Sequence, residues 1–196
     1  MISIQADFCI CALLDTKSLK EAKDSYTKSN AEMEDFYMRN VICFHGPNED
    51  NAYLSNWFLS NFEVNNIPFT SMEQYMMYQK AITFNDKTIA AQILETSDFG
   101  KIKALGRAVK NYNDVYWNGI RQIVVYKGLV EKFLQNESLK QQLISTAPNL
   151  LAECAVRDKI WGIGLSMKDD RRFDINQWQG QNLLGFSLMM VRDLLS

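Results

Sequence analysis

Residues 62–84 read FEVNNIPFTSMEQYMMYQKAITF, and the order of elements in this stretch decides the class of fold. Phe62–Val64 and Ile67–Phe69 are short apolar runs flanking Asn65-Asn66, a pair that tolerates the positive φ of a tight turn, so the stretch opens as a β-hairpin. Thr70 and Glu73 then have the Ser/Thr-x-x-Glu spacing of a capping box, and Ser71 to Phe84 runs without Gly or Pro. A helix therefore follows the hairpin at once. Upstream, Val41–Phe44 reads as another strand. Downstream, helical stretches are expected at about Lys87–Glu95, Phe99–Lys110, Val115–Gln135, Leu139–Ser145 and Leu183–Leu195. In the last of these, Leu184, Leu188, Val191 and Leu195 step by 4, 3 and 4 residues, which is the stripe of a helix facing a core. Leu150–Val156 reads as a strand, and Trp161-Gly-Ile-Gly164 through Gly180 as a glycine-containing loop region. The expected fold class is α+β, a compact, helix-rich single domain with a small β component.

The 196 residues suffice for one domain with a substantial core but hardly for two. With 47% hydrophobic and 22% charged residues, collagen-like and globally disordered classes are excluded. Residues 1–40 carry 7 acidic and 5 basic side chains and read as a short apolar strand followed by a polar helix from about Lys17 to Arg39. They form an N-terminal extension to a domain at 41–196. Twenty-one Lys and Arg against 23 Asp and Glu leave a net charge of -2, so a broad electrostatic grip on duplex nucleic acid is not expected. The apolar run Phe8–Leu14 is far shorter than the roughly 20 residues of a membrane helix. Cys9, Cys11, Cys43 and Cys154 match neither a zinc spacing nor a disulfide framework, so reduced thiols and a cytoplasmic location are expected, with no membrane partner. A dinucleotide fingerprint, a P-loop, a zinc ligand set and a calcium loop are all missing from the sequence, so no cofactor and no metal are expected. His45 is the single histidine, which leaves little scope for a His-paired nucleophile.

The helix opening at Thr70 holds the most informative pair. Glu73 and Lys80 are seven residues apart, so they fall on one helical stripe, separated by roughly 10.5 Å of axial rise. Long helical side chains lean toward the N-terminus, which leaves a gap between amine and carboxylate that fits a sugar ring. Taken singly, Glu73 also serves as a capping residue and Lys80 as a solvated lysine. A second cluster comprises Glu153, Asp158, Trp161, Gly162 and Gly164. A tight turn there would face the Asp158 carboxylate and the Trp161 indole into one cavity, with the glycines allowing backbone to approach a ligand. Trp117 and Arg121, at i and i+4, set an aromatic plane beside a guanidinium, suited to stacking a base and holding a phosphate. Arg107, and Gly180 with Asn182 at a helix start, are further phosphate candidates.

Tyr53-Leu-Ser-Asn56, Thr70-Ser-Met-Glu-Gln-Tyr75 running to Gln79-Lys-Ala81, Leu105-Gly-Arg107, Trp117, Lys132-Phe-Leu-Gln135, Leu151-Ala-Glu153, Asp158-Lys-Ile-Trp-Gly-Ile-Gly164 and Gly180-Gln-Asn-Leu-Leu-Gly185 form an ordered series. This series resembles the NADAR family, also called YbiA-like, over about residues 41–196. The resemblance implies a helix-rich α+β fold and an N-glycosidase. Some members cleave ribosylamine intermediates of riboflavin biosynthesis; others remove ADP-ribose from guanine in nucleic acid. It further implies Glu73 and Lys80 in the active site with Trp117, Asp158 and Trp161 around them, Lys80 standing where the family's Schiff-base lysine stands; Glu73 or Asp158 is the carboxyl expected to stabilise charge or activate water, so Lys80, Glu73 and Asp158 are the expected catalytic residues. Trp117 and Trp161 would flank the leaving base. On the residues' own chemistry, Arg107, Arg121, Glu153, Gly162 and Asn182 are expected to complete the substrate site. The partner expected is ADP-ribosylated guanine in nucleic acid or nucleotide, or a small ribosylated metabolite. The tail of the Trp117 block, Asn113-Asp-Val-Tyr116, departs from the family pattern. A rival from another class is a non-catalytic sensor that binds ADP-ribose or a related nucleotide, which could dispense with Glu73 and Lys80.

Overall fold

The computed structural model describes residues 41–196; the strand and helix expected before Val41 lie outside the described residues. The hairpin forms as its sequence dictates: β2 (Phe62–Val64) and β3 (Ile67–Phe69) pair antiparallel, with Phe62 opposite Phe69. Asn65 and Asn66 turn the corner at φ 52° and 63°, the left-handed values that asparagine tolerates better than most residues. A second sheet joins distant segments. β1 (Val41–Phe44) pairs in parallel with β4 (Leu150–Glu153), placing Phe44 beside Glu153. The strand expected over Leu150–Val156 stops at Glu153, where the Ala155 N–H folds back onto the Glu153 carbonyl.

Six α-helices supply the rest of the described fold. Helix α1 (Met72–Thr83) begins one residue later than the expected capping box. Ser71, not Thr70, is the N-cap, its hydroxyl accepting from Gln74 N–H at 3.2 Å, while Gln74 Oε1 reaches back to accept from Thr70 N–H at 2.8 Å. Glu73 is thereby released from capping. The Gln74 amide also donates to the carbonyls of Ile93 and Thr96, tying the start of α1 to the end of α2 (Lys87–Leu94). Helix α3 (Phe99–Arg107) is capped by Asp98, and α4 (Asp114–Leu134) by Asn113. Then come α5 (Glu137–Ile144) and α6 (Leu183–Leu195), so every helix anticipated after residue 70 is present.

The core lies where α1, α4 and α6 meet the strands. Leu184, Leu188 and Val191 of the predicted stripe are fully buried, joined by Val125, Leu129 and Phe133 of α4 and Met72 and Tyr75 of α1. Burial of apolar side chains at about 1.5–3 kcal/mol each makes this cluster the principal stabilising feature. It also fixes the rotation of α1. With Met72, Tyr75 and Met76 turned inward, Glu73 and Lys80 are carried toward the groove beside α3. No described helix is long and apolar enough to cross a membrane.

Candidate active site

A cleft of about 1180 Å³ opens between α1, α3, the segment 55–57 and the loop that follows β4. Glu73, Lys80, Arg107, Glu153, Asp158 and Trp161 all line it, so the two clusters found separately along the sequence meet in space.

Lys80 is half-buried on the last turn of α1. Its Nζ donates to the Gly106 carbonyl at 2.7 Å and lies 4.1 Å from the centre of the Tyr112 ring. Burial lowers its pKa, opposed by the negative charge of Asp114. The Glu73 carboxyl is pushed up to about 6 by burial and by Asp158, with Lys103, the neighbouring Trp57 and Arg107 pulling the other way. Glu153 ends β4. It is half-buried as a residue, but Oε2 is shut off from solvent and finds no hydrogen-bond partner among the described residues. Burial, and then the negative neighbours Asp158 and Glu73, raise its pKa to about 8, with Lys103 as the opposing cation. Asp158 forms the tight turn expected of it, Oδ1 accepting from the N–H groups of Ile160 at 3.0 Å and Trp161 at 2.9 Å. Around the mouth, Arg107, Arg157, Lys159 and Lys168 stand exposed.

Four of the expected binding residues stand elsewhere. Trp117 is 6% exposed and belongs to the core, tilted against Phe84 with ring centres 6.5 Å apart. Phe84 in turn packs edge-on to Tyr112, so Trp117 backs the aromatic layer behind Lys80 instead of lining the cleft. Arg121 lies close enough to influence the Tyr112 hydroxyl; it is half-buried, and its Nε has no partner among the described residues. Gly162 is a packing glycine: a Cβ there would come 2.7 Å from the Glu153 carbonyl oxygen and 3.0 Å from that of Asp158. Its role is to let the loop fold back against β4.

Asn182 is the sharpest correction. It is fully buried, in a left-handed conformation with φ 51°. Its Oδ1 accepts from Glu153 N–H at 3.1 Å and its Nδ2 donates to Leu151 C=O at 2.8 Å. Cys154 N–H points to Phe44 of β1, so alternation turns Glu153 N–H and Leu151 C=O to the opposite, open edge of β4. The Asn182 amide occupies that edge as a substitute for a third strand. The first amides of α6 are engaged as well: Leu183 and Leu184 donate to the carbonyls of Ile160 and Trp161. They hold the Asp158–Trp161 loop and are not free for a phosphate.

Three lining residues escaped the sequence reading. Trp57 stacks on Phe99 at 6.0 Å and 11°, with Lys103 Nζ 5.0 Å from its ring centre. Asn56 is buried at the cleft wall, and its backbone carbonyl accepts from Glu73 N–H at 2.9 Å. Trp57 and Asn56 sit in an irregular segment with no periodicity to read; Asn56 closes the Tyr53-Leu-Ser-Asn56 block and Trp57 follows it, and that was their only signal. Lys103 reads in sequence as one more helix lysine.

The sequence matches the NADAR domain family over residues 43–196. It is 39% identical over 160 residues to an N-glycosidase of Acanthamoeba polyphaga mimivirus, covering 78% of this chain and 94% of that protein. It is 31% identical over 156 residues to a riboflavin biosynthesis protein of Vibrio vulnificus, covering 80% of this chain but 39% of the relative. The fold is similar to the NMR structure of the Escherichia coli protein YbiA, with a TM-score of 0.66 at 27% identity over 80% of this chain and 84% of that one.

Proposed function

The chain belongs to the NADAR family, and on that premise we propose that it is an N-glycosidase that removes ADP-ribose from guanine through a Schiff base on Lys80. Hydrolysis of an N-glycosidic bond rests on the activity for which the mimiviral relative is named. The single observation that carries the finer reading is the opening of the Lys80 amine and the Glu73 carboxyl onto one cleft, with the amine's charge disfavoured by burial.

When ribose is joined to an exocyclic amine, its ring opens to an imine at C1. A neutral Lys80 Nζ adds to C1, and the base leaves with the electron pair of its C–N bond and a proton. This leaves a lysine–sugar imine, which water then hydrolyses. A neutral amine is the attacking form, and burial raises its population. Glu73 and Asp158 supply negative charge beside the carbon where positive charge develops, and a carboxylate there can activate the water. Trp161 offers a face for the leaving base, and Arg107 a guanidinium for phosphate.

The size of the cleft favours a large substrate, since small-molecule pockets commonly span about 300–1,000 Å³. The Vibrio relative's name favours a second reading, a phosphorylated ribosylamino pyrimidine. Incubation with each compound, followed by chromatography for free sugar, separates the two. With guanine-linked ADP-ribose, a borohydride reductant is expected to trap a protein–sugar adduct at Lys80 by mass spectrometry. Lys80→Ala is expected to abolish both the adduct and turnover. Near wild-type turnover in that variant would refute the covalent route.

A further inference from the structure

Three carboxyl groups line the cleft, and their surroundings differ in kind. Glu73 is buried, which raises its pKa, but the cations Lys103 and Arg107 offset part of that rise and hold it at about 6. Asp158 has donors of its own, accepting two backbone N–H groups on one oxygen. Glu153 has neither that pair of cations nor such donors. Its Oε2 is buried with no donor among the described residues, and the groups facing it are Asp158 on its own loop, Glu73 from α1, Lys103 from α3 and the adjoining Cys154 thiol. Burial beside two other carboxyl groups, with one shared lysine against them, makes ionisation of Glu153 costly.

Its backbone, by contrast, is held on every side. Phe44 pairs with it in the parallel ladder, Asn182 takes its N–H, and Ile163 N–H donates to its carbonyl at 2.8 Å. A rigid mount under a side chain with an unpaired oxygen suits a group that must meet a reacting atom at a fixed place.

We infer that Glu153 is the general acid of the reaction, holding a proton at the cleft floor and delivering it to the departing base nitrogen. The inference rests on the N-glycosidase reading. As the C–N bond breaks, its electron pair moves onto the nitrogen and the Glu153 proton follows it; solvent then re-protonates the carboxylate. Burial and like charge raise the Glu153 pKa to about 8, so the acid form predominates at neutral pH.

The test is Glu153→Gln, close in shape but unable to give up a proton. Two substrates are compared: the guanine-linked sugar and an N-ribosyl dinitroaniline, which can open to the same kind of C1 imine but whose electron-poor nitrogen needs far less help from an acid to depart. Glu153→Gln is expected to lower kcat on the guanine substrate by about 10²–10⁴-fold while changing turnover of the dinitroaniline far less. The fall of wild-type activity above about pH 8 should vanish in the variant. An infrared C=O stretch of a neutral carboxylic acid, present in the wild type at pH 7 and missing from the variant, reads the proton independently of turnover. Equal loss on both substrates, or no loss on either, overturns the assignment. A wild-type protein inert toward both substrates overturns the glycosidase reading itself.

Discussion

Replacing Asn182 by alanine removes the amide that occupies the open edge of β4. Two buried backbone groups, Glu153 N–H and Leu151 C=O, then lose their partner. Each stranded group costs about 1–3 kcal/mol, and alanine held at the left-handed φ of 51° adds about 1 kcal/mol. Allowing for partial relaxation, the expected loss is about 4 kcal/mol, or about 8–16 °C in Tm for a chain of this size. Asn182→Gly forfeits the same hydrogen bonds without the backbone strain, so it should exceed the alanine variant by about 1 kcal/mol. Urea denaturation followed by tryptophan fluorescence and by far-ultraviolet circular dichroism measures both. An alanine variant within about 1 kcal/mol of wild type would refute the idea that this side chain stands in for a strand.

Other outcomes can be stated briefly. Lys132 is fully buried with Nζ donating to the Tyr53 carbonyl at 2.7 Å, and burial lowers its pKa from 10.5 to about 7. Between those values the unfolded chain binds more protons than the folded one, so stability from this group rises with pH across the window. Lys132→Met should therefore gain on wild type by more at about pH 6 than at about pH 9 in urea midpoints, and a pH-independent difference would count against the assignment. Trp161→Ala should raise KM about 5- to 150-fold, equivalent to a stack of roughly 1–3 kcal/mol. Trp117→Phe should lower Tm and leave KM alone, as expected of a core ring; a KM change there would return it to the substrate site.

Local signals were read correctly because their physics is local. Asn65-Asn66 makes a turn wherever two apolar runs flank it, and α6 shows its stripe in four side chains, three of them fully buried and Leu195 packed partly buried at the end. The capping box slipped by one because Thr70–Glu73 and Ser71–Gln74 both satisfy the spacing. What decides between them is the reach of Gln74 to carbonyls some 19 and 22 residues away. Trp117 and Arg121 share a helical face as their spacing requires, but whether that face meets ligand or core depends on how α4 packs. Asn182 looked like a free helix start because the strand edge it covers lies 31 residues earlier in the chain. The meeting of Glu73 with Glu153 and Asp158 is likewise non-local. Each cluster was visible, yet their convergence depends on the β1–β4 pairing.

The layered charge of the cleft has a kinetic corollary. Arg107, Arg157, Lys159 and Lys168 are exposed, whereas the Glu73 and Glu153 carboxyls sit below in a drier setting. Mobile ions screen exposed charges over about 8–10 Å at ordinary ionic strength and reach buried ones far less. Added salt should therefore slow the capture of a phosphorylated substrate while the rate of bond cleavage in the loaded enzyme stays nearly constant.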